Sequence, residues 1–172
     1  KYAIISRIDI DKIKEIEKML LNLDKFNIKK VDIYGDGSEL ENLKIFINDN
    51  NLENKVKVKG YITNVYDTIN EKYNGVIGLG RVVLESLAMG MPTILIGYNR
   101  VNGFINKDIY DKIKSFNFVN IMFDEVNYKY PTNKDINYIY RDILKNYATE
   151  KVLEQYLINL NTTNSCFMQN MI

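Results

Sequence analysis

Residues 78–92 read GLGRVVLESLAMGMP and lie between the apolar runs YNGVIG (73–78) and PTILIG (92–97). The order predicts strand, glycine turn, helix, strand. RVVLESLAM is rich in helix formers; Gly90 suits a left-handed helix end, and Pro92 cannot continue a helix. TILI is a continuous apolar run of strand formers, as expected of a parallel strand covered on both faces. This is half of a doubly wound sheet, in which ligands lie beyond the carboxyl ends of the strands.

A helix starting there on Gly78-Leu-Gly80-Arg81 aims backbone N–H groups, a positive dipole end and a guanidinium at one point, which favours an anion and above all phosphate. Glycines before a helix also serve as a plain turn, and Arg81 alone could be a solvated first-turn residue. Glu85 adds a second feature. It follows Arg81 by four residues on the same helix face, where it can pair with that guanidinium. It would also sit one ribose away from a phosphate at the helix start, and a carboxylate accepts paired hydroxyl bonds well.

At 172 residues the chain suits one domain. With 23 basic against 22 acidic residues no global field draws it to nucleic acid or an anionic membrane, so any anion site is local. The single cysteine, Cys166, excludes an intramolecular disulfide and fits a reducing compartment. The absence of histidine removes zinc sites of the usual kind, histidine general bases and Ser-His-Asp triads. The longest apolar run, LAMGMPTILIG, is too short to span a bilayer, and the N-terminus has no signal-peptide pattern. The chain begins at Lys1 and runs directly into a strand, which suggests a piece of a longer protein.

Along the chain, YAIIS (2–6) is expected as the first, central strand. From Asp11 to Phe26 the residues Ile13, Ile16, Met19, Leu20 and Leu23 form one helical stripe with lysines and glutamates opposite. The loop between them, SRIDIDK (6–12), places Arg7 and Lys12 at the carboxyl edge of the sheet; Arg7 could equally pair with Asp9 or Asp11. KKVDIYG (29–35) alternates as a strand does. In the GDGSELE that follows, Ser38 and Glu41 form a capping-box signature, and Gly35, Asp36 and Gly37 suit a tight strand-to-helix turn better than a phosphate loop. KVKVKGY (55–61) is a short strand ending at Gly60, and TNVYDTINEK a short helix. YNRVNGFINKD (98–108) is expected as a loop turning at Asn102-Gly103, DIYDKIKSF as a helix and FVNIMF (118–123) as a last strand. The spacing over 133–160 predicts one broken or two consecutive helices, and 161–172 a tail. The fold class is therefore α/β, a doubly wound, Rossmann-like, mostly parallel sheet with helices on both faces. Arg7, Lys12 and the Gly80-Arg81 helix start could together hold a diphosphate, at about 1.5–3 kcal/mol for each charge-assisted bond.

The sequence SRIDIDK, IYGDGSELENL, NKVKVKGY, GLGRVVLESLAMGMPTI and NGFI, in that order, resembles the C-terminal, nucleotide-sugar-binding domain of the group 1 (family 4) glycosyltransferases, which have the two-domain glycosyltransferase B fold. The likeness covers about residues 1–125. It implies that Arg7 and Lys12 grip the donor diphosphate and stabilise it as a leaving group, and that Glu85 holds the ribose hydroxyls. The helix start of Gly78, Gly80 and Arg81 would approach the phosphates, and Gly60 to Asn64, with Tyr61, would lie near the base. Many members carry a second, sugar-contacting Glu eight residues before the ribose Glu; here that position is Ile77, so sugar contacts are expected to differ.

The reaction implied is transfer of a sugar from a UDP- or GDP-type donor to a hydroxyl acceptor, with retention, without metal and without a cofactor. The setting implied is bacterial cell-surface polysaccharide or glycolipid synthesis, cytoplasmic or at the inner face of the cell membrane. Residues 1–160 would be the donor domain; the sugar or lipid-linked acceptor would be held by an N-terminal domain that this chain lacks, leaving the isolated domain inactive. Two rivals have specific marks. Asp9-Ile10-Asp11 is a DxD, the metal-diphosphate signature of the other glycosyltransferase fold, although both residues also suit a helix start. A receiver-like signalling module, or another non-catalytic nucleotide-binding domain, would use Asp9 and Asp11 as an acidic pair. A receiver also needs a phosphorylatable Asp ending the third strand, where this chain has Lys59-Gly60-Tyr61.

Overall fold

The computed structural model of the chain describes residues 1–63, 65–69, 72–97, 99–118 and 123–147. β1 (Tyr2–Ile5) is buried throughout and leads to α1 (Ile13–Leu21), followed by a 3-10 turn at Leu23–Phe26. β2 (Val31–Tyr34), α2 (Leu40–Asp49), β3 (Val56–Gly60) and the short α3 (Val65–Ile69) follow. Then come β4 (Gly75–Gly78), α4 (Arg81–Ala88), β5 (Thr93–Gly97), β6 (Arg100–Phe104), α5 (Lys107–Ile113) and α6 (Asn133–Asn146).

The six strands lie in the order β3-β2-β1-β4-β5-β6, all parallel except β6. Strand order reverses between β1 and β4, and a crevice opens at such a point because successive helices leave for opposite faces. Period-2 alternation divides the core accordingly. Ile4, Ile33, Ile77 and Ile94 pack with Ile16, Met19 and Leu20 of α1 on one face. Ala3, Ile5 and Val76 meet Ile69 and Tyr73 on the other, while Leu95 meets Val83 and Leu87 of α4 and the α5–α6 pair. The chain is thus α/β and Rossmann-like, as the strand–helix alternation predicts.

Local readings at both ends of α4 hold. Gly80 opens the helix at φ 64, and Gly90 closes it at φ 69, its N–H donating to Leu87 O while Met91 N–H reaches Ser86 O. That pair of bonds is a Schellman motif, which satisfies carbonyls the helix end would leave bare.

Three readings need correction. Residues 100–104, expected in a loop, form the antiparallel edge strand β6, because the hairpin turn falls at Asn99 (φ 59) and not at Asn102-Gly103. Gly103 lies inside β6 at φ 101, where a Cβ would meet the Asn127 backbone at 2.2 Å. The Ser38–Glu41 capping box does not form: α2 begins after Glu39 with no side-chain cap, because the Ser38 N–H is drawn to Asp9 Oδ1 at 3.1 Å. Glu15, placed by periodicity on the polar face of α1, is 1% exposed and neither oxygen has a hydrogen-bond partner among the described residues. The flank of α1 is covered by the β5–β6 turn, where Lys18 Nζ reaches Asn99 O at 2.5 Å. The strand expected at 118–123 and the second helical stretch and tail after residue 147 fall wholly or mostly outside the described residues.

Candidate functional site

The carboxyl ends of β1, β3 and β4 surround two adjoining clefts. The larger, about 890 Å³, is walled by Arg7, Tyr61, Thr63, Tyr66, Arg81 and Glu85, with Val65, Val82, Ala88 and Met89 completing its wall. The smaller, about 460 Å³, lies between the β1–α1 and β2–α2 loops and shares Arg7 and Tyr61 with the first. The sheet topology therefore brings Arg7, Tyr61, Arg81 and Glu85, four of the residues singled out in the sequence, to one cavity.

Arg7 leaves the end of β1 on a loop fastened to its neighbour. Ser6 N–H donates to Tyr34 O, Ile8 N–H to Asp36 O and Glu39 N–H to Ile8 O, so the β1–α1 and β2–α2 loops are zipped together. Gly35 and Gly37 make this contact possible: a Cβ at Gly35 would stand 1.9 Å from Ser6 O, and one at Gly37 2.4 Å from Ile8 O. These glycines serve loop packing, as the sequence reading favoured. The Arg7 guanidinium, 85% exposed, pairs with Asp9. The Ser38 backbone N–H and then the Arg7 side chain hold Asp9 below the usual carboxylate range.

α4 starts two residues after β4, so Gly78, Gly80 and Arg81 follow each other closely at the switch point. Gly78 admits the helix, since a Cβ there would come within 2.8 Å of Val82. Gly80 N–H donates to Phe118 O at 3.2 Å, and its carbonyl takes the N–H groups of Val83 and Leu84. The Arg81 and Val82 N–H groups thus precede the first helical bond, where a helix offers donors and positive potential to an anion. Arg81 Nε bonds Glu85 Oε1 at 2.6 Å across one turn. Both guanidiniums of the cleft are therefore paired with carboxylates, which an incoming phosphate or hydroxyl must displace or share.

Other predicted residues stand apart. Lys12 caps α1 and its ammonium meets Asp11 at 3.0 Å; it is not on the wall of either cleft. Gly60, at φ 84, turns the chain out of β3 so that Tyr61 projects, 73% exposed, between the two clefts. Asn64 lies outside the described residues. Asp9 and Asp11, the two acids of the DxD, are each occupied by a neighbouring cation.

Sequence reading missed Tyr34 and Tyr66. Tyr66 sits one position off the buried side of α3 and is 67% exposed, a placement legible only once Ile69 is known to face the core. Tyr34 ends β2, where its hydroxyl bonds that of Tyr73 at 2.7 Å. Tyr73 spends its own proton on Asp32 Oδ2 at 2.7 Å, so Tyr34 is the donor of that pair. Among the described residues no helix is long and apolar enough to cross a membrane.

No protein-family model and no curated protein sequence matches the chain. Solved structures do. A variant of S. aureus TarM, in complex with Fondaparinux, alpha-GlcNAc-glycerol and UDP, aligns with a TM-score of 0.61 at 24% identity over 91% of this chain and 34% of that one. A second structure of TarM aligns at 0.58 with 26% identity over 91% and 34%. The pneumococcal O-GlcNAc transferase GtfA, in complex with UDP and GlcNAc, gives 0.59 at 17% identity over 94% and 35%. The chain thus spans about a third of the length of these proteins. These structural neighbours are glycosyltransferases of the B fold, and the likeness to them is one of fold.

Proposed function

We propose that this chain is the donor-binding domain of a retaining, metal-independent group 1 glycosyltransferase, the C-terminal half of a B-fold enzyme. It takes a nucleoside diphosphate sugar, the donor for transfer to a hydroxyl acceptor in bacterial surface polysaccharide or glycolipid synthesis. The observation that carries this reading is the larger cleft, where Arg7 from β1 and Arg81 and Glu85 from α4 converge at the reversal of strand order. A diphosphate needs guanidiniums and bare N–H groups, a ribose needs a carboxylate, and a base needs an aromatic or apolar wall such as Tyr61, Tyr66 and Val65 supply. UDP in the TarM and GtfA complexes supports the class of ligand. Of the two guanidiniums, Arg7 would stabilise charge on the departing diphosphate, the device of an oxyanion hole. Lys12 would join it after a side-chain rotation away from Asp11. Gly78, Gly80, Gly60 and Tyr61 shape the approach to phosphate and base.

The strand order disfavours a receiver-like module. A receiver sheet runs 2-1-3-4-5, whereas β2 and β3 here both lie on the far side of β1. The acceptor, an N-terminal partner domain and a cytoplasmic or membrane-face location belong to the same proposal.

Calorimetric titration with UDP, GDP and ADP, with and without magnesium, tests it. One diphosphate should bind without metal, and Glu85→Ala should weaken it about five- to a hundredfold, the loss of roughly 1–3 kcal/mol for a hydrogen-bonded carboxylate. Binding that requires metal, or that ignores Glu85, would overturn the reading.

A further inference from the structure

Helix α6 presents to solvent a stripe of positive charge. Lys134, Arg141 and Lys145 lie on one face of the helix, two turns and then one turn apart, about 10 Å and about 6 Å along its axis. All three are exposed, and none has an ion pair or hydrogen bond among the described residues. The acids nearby are spent inward. Asp142 accepts the Tyr110 hydroxyl at 2.7 Å and meets Lys114 at 3.6 Å, Asp111 is shared by Lys107 and Lys114, and Asp135 closes the cap of α6. In a chain of net charge +1 the excess is therefore local.

The stripe borders a groove of about 490 Å³ lined by Lys134, Asn137, Tyr138, Arg141, Asp142 and Lys145. The Tyr138 ring is fixed on this wall: Lys107 Nζ lies over it at 4.8 Å, and its hydroxyl donates to Asp111 Oδ1 at 3.1 Å. The way α6 is tied down sets the direction of the stripe. Its first turn accepts Lys107 N–H from the start of α5, on Asp135 Oδ1 at 3.1 Å. At its end the Tyr147 ring lies 5.9 Å from that of Phe118, whose carbonyl accepts the Gly80 N–H at the start of α4. Lys134 therefore stands toward the amino edge of the sheet and Lys145 toward the carboxyl edge.

The occupant that matches this surface is a linear polyanion. A protein interface is centred on apolar anchors, and the one ring on this lining already has its face and its hydroxyl engaged. A bilayer takes up exposed aliphatic groups together with cations, whereas the exposed Leu144 is not on the groove's lining. A chain of phosphate groups needs only cations at intervals along a line, and a guanidinium such as that of Arg141 holds a phosphate through two parallel bonds. We propose that α6 is a docking track for a linear chain bearing phosphate groups, held through Lys134, Arg141 and Lys145. No residue of α6 lines either donor-side cleft, so the track stands independently of the donor-site reading.

The test is calorimetric titration of this chain with linear inorganic polyphosphate over a salt series, with inorganic phosphate as the single-anion control. Polyphosphate should bind about tenfold or more tighter than inorganic phosphate, and the logarithm of its affinity should fall with that of salt at a slope of about −2, roughly 0.7 for each of the three cations. Arg141→Ala and Lys145→Ala should each weaken binding and reduce the slope by about 0.7, while Arg141→Lys, which keeps the charge, should keep the slope. Because polyphosphate also has access to the larger cleft, the titration is repeated on Arg81→Ala, which should leave the binding unchanged. Binding that survives the α6 variants but is lost in Arg81→Ala would assign polyphosphate to that cleft and overturn the track. Equal affinity for inorganic phosphate, or no binding of polyphosphate, would overturn it too. Retention on phosphatidylglycerol vesicles that is lost in Leu144→Ser, without polyphosphate binding, would give the surface to a bilayer instead.

Discussion

At the scale of single residues, the glycines separate into those that need space and those that need only a conformation. Gly35 needs space, because any Cβ would be driven into the Ser6 carbonyl at 1.9 Å and unzip the two loops that carry Arg7 and Asp36. Gly60 has nothing within 4 Å of a Cβ but holds φ 84. Gly35→Ala should therefore cost several kcal/mol, on the order of 3 or more, and Gly60→Ala about 1–2 kcal/mol, the ordinary penalty of a left-handed L-residue. Urea unfolding of the two variants checks this; equal losses would show that the loop contact is not what Gly35 protects. A sequence reader sees only that both stand at the end of a strand. The difference lies in Ser6, which is 29 positions from Gly35 in the chain and reaches it only through the β1–β2 pairing.

At the scale of elements, caps were the least legible feature. Ser38-Glu-Leu-Glu41 and Thr132-Asn-Lys-Asp135 are equivalent patterns, yet only the second forms a capping box, with Thr132 Oγ1 accepting Asp135 N–H and the Asp135 carboxylate accepting Thr132 N–H. Ser38 is claimed by Asp9 from another loop, whereas nothing competes for Thr132. The Asp135 carboxylate also accepts Lys107 N–H at 3.1 Å, so the cap ties α6 to the start of α5. Thr132→Ala should lower stability by about 1–2 kcal/mol, at the upper end for an N-cap because the tertiary bond is disturbed too. Ser38→Ala should change it by less than about 0.5 kcal/mol, as for a surface side chain without a capping bond. Thermal unfolding of both variants distinguishes them. Helix α4 and strands β1 and β5 were legible because their signals are local: a helix-forming octapeptide between glycines, and unbroken apolar runs.

At the scale of the whole molecule, β2 and the entries to β1 and β4 are tied together by the chain Lys1 Nζ–Asp32–Tyr73–Tyr34, with the ion pair at 2.5 Å. Burial pushes the Asp32 carboxyl up, but the bonds from Lys1 and Tyr73 outweigh it, leaving Asp32 below the usual carboxylate range. A lowered value in the folded chain means that the network's contribution is full above the unfolded carboxylate range, near pH 4, and is lost as pH falls through the folded value. Asp32→Asn should cost about 1–3 kcal/mol at pH 7. The gap from wild type should hold from pH 7 down to about pH 4 and narrow as pH falls further. Denaturant midpoints across that range decide it; a gap independent of pH would mean that the charge on Asp32 contributes nothing.

By itself the sequence determined the α/β alternation, the apolar strand at YAIIS and the glycine-framed helix after β4 with Arg81 and Glu85 one turn apart. Each depends on neighbours within a turn or a strand, where steric and periodic rules act without reference to the rest of the chain. Only the tertiary structure decided that β6 pairs antiparallel at the edge, that Glu15 is covered, that Lys12 stands outside the clefts and that Asp36 and Tyr61 line a second cavity. These are outcomes of which surfaces meet, and surfaces meet according to strand order and loop packing, which join residues too far apart in the chain for any local pattern to register.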